Sequence, residues 1–139
     1  MIARADVQRT KAQLLIWWII WAVVLSGLCV IYLFLGRAKP LPPPSTADML
    51  VNLIGFVPLF VSVIIRWLVL PRYTDPRRAL VVFIIGLALA ENCGLLGIFF
   101  GGPYRDALFV LGVLGIAQYV PFYAKKFFEP KDSGFIPNN

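Results

Sequence analysis

Among the long apolar runs of this chain there is one carboxyl group, Glu91, in the stretch Ala88-Leu-Ala-Glu-Asn-Cys-Gly-Leu-Leu-Gly-Ile-Phe-Phe-Gly-Gly102. An acidic side chain at a bilayer centre costs roughly 2.5 to 3.5 kcal/mol, so it needs a partner, a proton or a function. The chemistry within its reach is hydrogen bonding, or the passage of a proton or other ion. Gln118, Asn92 and Ser26 are the other polar side chains whose positions in the runs suit that work. An amide accepts from a protonated carboxyl and donates to an ionised one, so either state of Glu91 can be served. The chain has no His, which removes His-based zinc sites, bis-His haem ligation and the commonest acid/base residue. No metal or cofactor set is therefore expected, and no Ser/Lys or paired-aspartate arrangement suggests an enzyme.

The elements that must position these residues are membrane spans. Of 139 residues 60% are hydrophobic, and the mean hydropathy is +0.81, far from the mixture of a soluble domain. Apolar runs over about 14–35, 49–70, 79–100 and 107–124 use most of the chain. The pattern predicts an all-α integral membrane protein, residues 1–139 forming one domain of four transmembrane helices arranged as two antiparallel hairpins. A Pro-rich connection over 36–47 is expected to be extended, with Ser45 or Thr46 capping the second span and Asp48 in its first turn. Thr74 or Asp75 before Pro76 supplies the start of the third span. Pro58 and Pro121 are expected to kink spans two and four. The basic and aromatic tail, 125–139, is expected at the headgroups with a mobile end. Cys29 and Cys93 read as small packing residues.

The net charge of +6 comes from 13 Lys and Arg against 7 Asp and Glu. These cations cluster at the ends of apolar runs, which points to lipid headgroups and not to nucleic acid. Arg4, Arg9, Lys11, Arg72, Arg77, Arg78, Lys125, Lys126 and Lys131 make nine on one side, against Arg37, Lys39 and Arg105, three on the other. The positive-inside rule then puts both termini in the cytoplasm, with the inner membrane of a bacterium as the expected location. Trp17, Trp18, Trp21 and Trp67 read as interfacial aromatics, and Arg66 as a side chain that snorkels to the same interface as Arg72.

In the third span Gly86, Ala90, Gly94, Gly97 and Gly101 fall in a sector roughly 80° wide, a stripe on which another helix can approach closely. Glu91 lies about 60° from Gly94, at the border of that stripe. Counting from the link, Glu91 precedes Gly102 by as many residues as Gln118 follows Ala107, so the two are expected at similar depth. The same counting leaves Arg66 about 12 Å from Glu91 along the helix axis, too far for easy pairing. Desolvation then favours the protonated carboxyl.

Ala90-Glu-Asn-Cys-Gly-Leu-Leu-Gly97 resembles the carboxylate-bearing helix of the proteolipid subunit c of rotary ATPases. The resemblance is local and motif-level, not one of the whole chain. It implies that Glu91 carries a translocated proton or sodium ion in an oligomeric ring. The residues themselves favour a protein without catalytic machinery, an accessory subunit or self-assembling oligomer in which protonated Glu91 makes a hydrogen bond between helices. Ion or small-solute passage through Glu91 with Gln118 is the alternative. Membrane lipids, and further copies or another membrane protein, are the expected partners.

Overall fold

A computed structural model describes residues 2–38, 40, 41, 43 and 46–127, with side chains over 11–38, 40, 41, 43, 50 and 53–127. The expectations for Ser45, the side chain of Asp48, most of the proline run and the tail beyond Phe127 lie outside these residues. Those described are helical with no strand. Four helices are long and apolar enough to cross a membrane, over Lys11–Gly36, Leu53–Arg72, Pro76–Phe100 and Gly102–Phe127. Helix is what hydrocarbon demands, because each backbone N–H and C=O must be satisfied within its own segment.

Helix α1 covers Ile2–Ile31 and runs on through a π-helical turn, Tyr32–Gly36, closed by the Arg37 N–H on the Tyr32 carbonyl at 3.0 Å. Helix α2, Thr46–Ile64, continues through Pro58 and loosens into a second π turn, Ile65–Val69, before a 3₁₀ turn over Leu70–Arg72. Helix α3, Pro76–Phe100, begins on Asp75, whose carboxylate accepts from the Arg77 N–H at 3.0 Å, with Pro76 in the first turn where no N–H is needed.

The α3–α4 link is tighter than the residue types suggested. The Gly101 N–H still bonds the Gly97 carbonyl, at 2.9 Å, and Gly102 then reverses the chain with a φ of 50°, a conformation that favours glycine. A single 3₁₀ turn, Gly102–Tyr104, leads into α4, which starts at Arg105 and ends at Ala117.

The fourth span is thus not one helix over 107–124. Pro121 has no N–H for the Ala117 carbonyl and forces Val120 out of the helical region. Shorter bonds replace the helical ones: Tyr119 N–H to the Ile116 carbonyl at 2.9 Å, Val120 N–H to Ala117 at 3.1 Å. A 3₁₀ segment over Pro121–Phe127 completes the crossing.

Helix α3 is the hub, packed chiefly on α4, then on α2, then on α1. Its buried residues include Ala79, Phe83, Gly86, Leu87, Ala90, Cys93, Gly94, Gly97 and Ile98. Helices α3 and α4 run antiparallel with almost no side chain between them. A β-carbon at Gly112 would come 2.7 Å from the Gly94 nitrogen, and one at Gly115 would come 3.0 Å from Ala90 Cβ. Such backbone proximity is how helices gain dispersion energy in lipid, where no hydrophobic effect drives them together.

Candidate functional site

The glycine stripe positions everything near Glu91. Gly86 faces Tyr119, Ala90 faces Gly115, Gly94 faces Gly112 and Leu28 of α1, and Gly97 faces Leu108. Gly101 is buried at the turn, with Arg105 Cα 3.1 Å from where its β-carbon would be. These pairings set the depth of each polar residue. Glu91 is level with Leu114 of α4, while Gln118 is level with Leu87 of α3. The two differ by four residues, about 6 Å along the axis. The reason is the turn: α4 restarts at Arg105, so the hairpin pivots at Gly102 and not midway to Ala107.

Glu91 is half-buried, and Asn92 beside it is exposed. The side-chain hydrogen bonds and ion pairs among the described residues include neither. Asn92 shares its face of α3 with Ala88, Val81, Ile85 and Phe99, all exposed. It stands eight residues, about 12 Å, before the end of α3, well within a helix long and apolar enough to cross a membrane. An amide and a carboxyl are therefore adjacent in sequence, at one depth, with no hydrogen bond to the described residues.

Gln118 is instead the meeting point of α4 with α2. Its position at the helix end frees its carbonyl, since Phe122 N–H turns back to Val120 at 2.9 Å. Arg66 Nε donates to that carbonyl at 2.7 Å. The guanidinium carbon also lies 4.0 Å from the Tyr123 ring centroid and 5.5 Å from that of Trp67. Arg66 is thus held by α4 and does not simply extend to the interface; the break at Pro121 created its acceptor. The Gln118 amide nitrogen and the Tyr123 hydroxyl are buried without a hydrogen-bond partner among the described residues.

One turn deeper, Ser62 of α2 is fully buried and donates to the Gly86 carbonyl at 2.8 Å. The Tyr119 hydroxyl donates to the Ser62 carbonyl at 2.6 Å. This knot ties α2, α3 and α4 together, and in lipid each of its bonds spares a polar group from hydrocarbon. Reading the residues as four independent helices missed it, although a serine in span two and a tyrosine beside Gln118 were the visible signals.

Ser26 is exposed on α1 and spends its hydroxyl on the Ala22 carbonyl, 2.7 Å away in its own helix, so it does not join Glu91. Trp17, expected at the interface, is core: it is 2% exposed and packs on Phe83, Phe127 and Tyr123 with centroids 4.7, 5.8 and 6.0 Å away. The Trp21 indole N–H donates to the Ile116 carbonyl at 3.0 Å, and Trp18 packs edge-on against Phe122. Trp67, Arg72, Arg77, Arg78, Lys125 and Lys126 are exposed. At the opposite end the Tyr32 hydroxyl donates to Asp106 at 3.0 Å, beside the Arg105 Nε donor at 3.1 Å. Among the described residues no three His, Cys, Asp or Glu side chains converge to hold a metal ion. Comparison with known protein families, curated proteins and solved structures gives no match.

Proposed function

We propose that this protein is a non-catalytic membrane subunit that self-assembles through the outer face of α3, with Asn92 and protonated Glu91 hydrogen-bonding to a second copy. The observation that supports this most is the exposed amide of Asn92 next to a half-buried carboxyl that has no hydrogen bond among the described residues, well within a helix apolar enough to span a membrane. A polar group left unpaired there costs free energy that a neighbouring helix relieves. Copies inserted in the same orientation and related by a two-fold axis along the membrane normal bring Asn92 against Asn92 at equal depth. An amide is self-complementary, so this pairing needs no second kind of partner. Ala88, one turn away on the same face, lets the two helices approach.

The same reading places both termini in the cytoplasm and the protein in a bacterial inner membrane, from the excess of cations at the Arg72–Arg78 end. Passage of an ion through Glu91 and Gln118 has weaker support, because an axial offset of about 6 Å separates the two groups.

The test is the subunit count in a native-like bilayer. Single-molecule photobleaching of tagged protein in large vesicles should show dimers or larger assemblies, and Asn92→Leu should shift them toward monomers by about three- to twentyfold, as polar contacts of ~0.6–1.7 kcal/mol imply. A wild type that bleaches in one step at high protein-to-lipid ratio sinks the proposal.

A further inference from the structure

Arg66 is built into the protein in a way that leaves its charge unanswered. Its Nε is fixed on the Gln118 carbonyl at 2.7 Å, and the guanidinium carbon stands 4.0 Å from the centroid of the Tyr123 ring. Those two contacts orient the fork. The ion pairs among the described residues are Arg78 with Asp75 and Arg105 with Asp106, and Arg66 belongs to neither. Its terminal nitrogens make no hydrogen bond among the described residues and are not buried. Arg66 lies six residues, about 9 Å, inside the end of the second span at Arg72. That depth is below the headgroup layer, by little more than the length of an arginine side chain. A guanidinium there, with no carboxylate partner among the described residues, favours an anion that can descend to it.

The geometry points to a phosphate site: we infer that Arg66 presents its two free nitrogens to the phosphate of an anionic phospholipid. Planar, two-point donation to phosphate oxygens is the arrangement a guanidinium offers and an ammonium does not. Tyr123 packs against the guanidinium, and the Gln118 backbone carbonyl fixes its Nε. Exposed Arg72, Lys125 and Lys126 at the same end raise the local concentration of anions without a fixed geometry of their own. The recognised chemistry is a phosphate oxyanion, which a lipid headgroup or free phosphate can supply.

Native mass spectrometry of the detergent-purified protein with phosphatidylglycerol or phosphatidylcholine, combined with thermal unfolding in nanodiscs, tests the site. Wild type should retain phosphatidylglycerol in preference, and Arg66→Gln should lower its occupancy about tenfold, as loss of one charge-assisted pair implies. Arg66→Lys, which keeps the charge and spares the fold, should show a several-fold drop, and Arg72→Gln less than twofold. In phosphatidylcholine nanodiscs, a midpoint that rises with inorganic phosphate but not with chloride at equal ionic strength, and only when Arg66 is present, would support the site with free phosphate as its source. A rise with phosphatidylglycerol alone assigns it to lipid. Equal retention by wild type and Arg66→Lys, or an equal loss in Arg72→Gln, overturns the inference, as does no response to either anion.

Discussion

The Tyr119 hydroxyl occupies the space in which a side chain at Gly86 would have to begin. The same hydroxyl donates to the Ser62 carbonyl at 2.6 Å, so a methyl group on α3 would break a bond between α4 and α2. Gly86→Ala should therefore destabilise the bundle by about 1–3 kcal/mol, the cost of overpacking. Tyr119→Phe, which keeps the ring and loses the bond, should cost about 1 kcal/mol. Reversible unfolding in mixed micelles, followed by helical circular dichroism, compares the two; a larger loss for Tyr119→Phe would contradict the steric account.

Two other glycines separate packing from propensity. A β-carbon at Gly112 meets the backbone of Gly94, which cannot yield, whereas one at Gly27 meets nothing within 4 Å. Gly112→Ala should lower stability by about 1–3 kcal/mol by prising α3 from α4. Gly27→Ala should be neutral or raise it by up to about 1 kcal/mol, since alanine is the better helix former. Unfolding midpoints of the pair under one set of conditions decide the matter.

The four spans and the small-residue stripe were legible because length and apolarity in lipid leave helix as the only solution, and glycines at helical spacing have few other uses. The depth of Glu91 relative to Gln118 was not. It depends on one backbone torsion at Gly102 and on α4 starting at Arg105, two residues before the apolar run declares itself. Arg66 was misplaced for a related reason: its acceptor exists only because Pro121 breaks the helix at Gln118. Trp17 looks like Trp18 and Trp21 in sequence, but of the three only Trp17 is buried and packs on Phe83.

Tyr32 anchors the far end of α1. Its ring stacks on Phe109 with centroids 3.8 Å apart, and its hydroxyl reaches Asp106 at 3.0 Å. Tyr32→Phe should cost about 0.5–1.5 kcal/mol for the hydrogen bond alone, and Tyr32→Leu about 0.5–1.5 kcal/mol more for the lost aromatic pair. Equal stability of the two variants in micelle unfolding would show that the stack contributes nothing.

Glu91 makes no hydrogen bond with the described residues of its own protomer, so Glu91→Gln should leave monomer stability within about 0.5 kcal/mol of wild type. A glutamine also preserves hydrogen bonding to a neighbouring copy, so the photobleaching distribution should change less than it does in Asn92→Leu. A collapse of the monomer fold in Glu91→Gln would place the carboxyl's partner inside the protomer.

The seat of Trp17 is assembled from Phe83 on α3 and from Tyr123 and Phe127 at the end of the fourth span. During synthesis α1 therefore leaves the ribosome long before anything exists for it to dock on. It is the most apolar of the four candidate spans, and the last, which carries the polar contacts, is the least. The contacts of Trp17 with Tyr123 and Phe127 thus join the first helix to the last segment of the described chain.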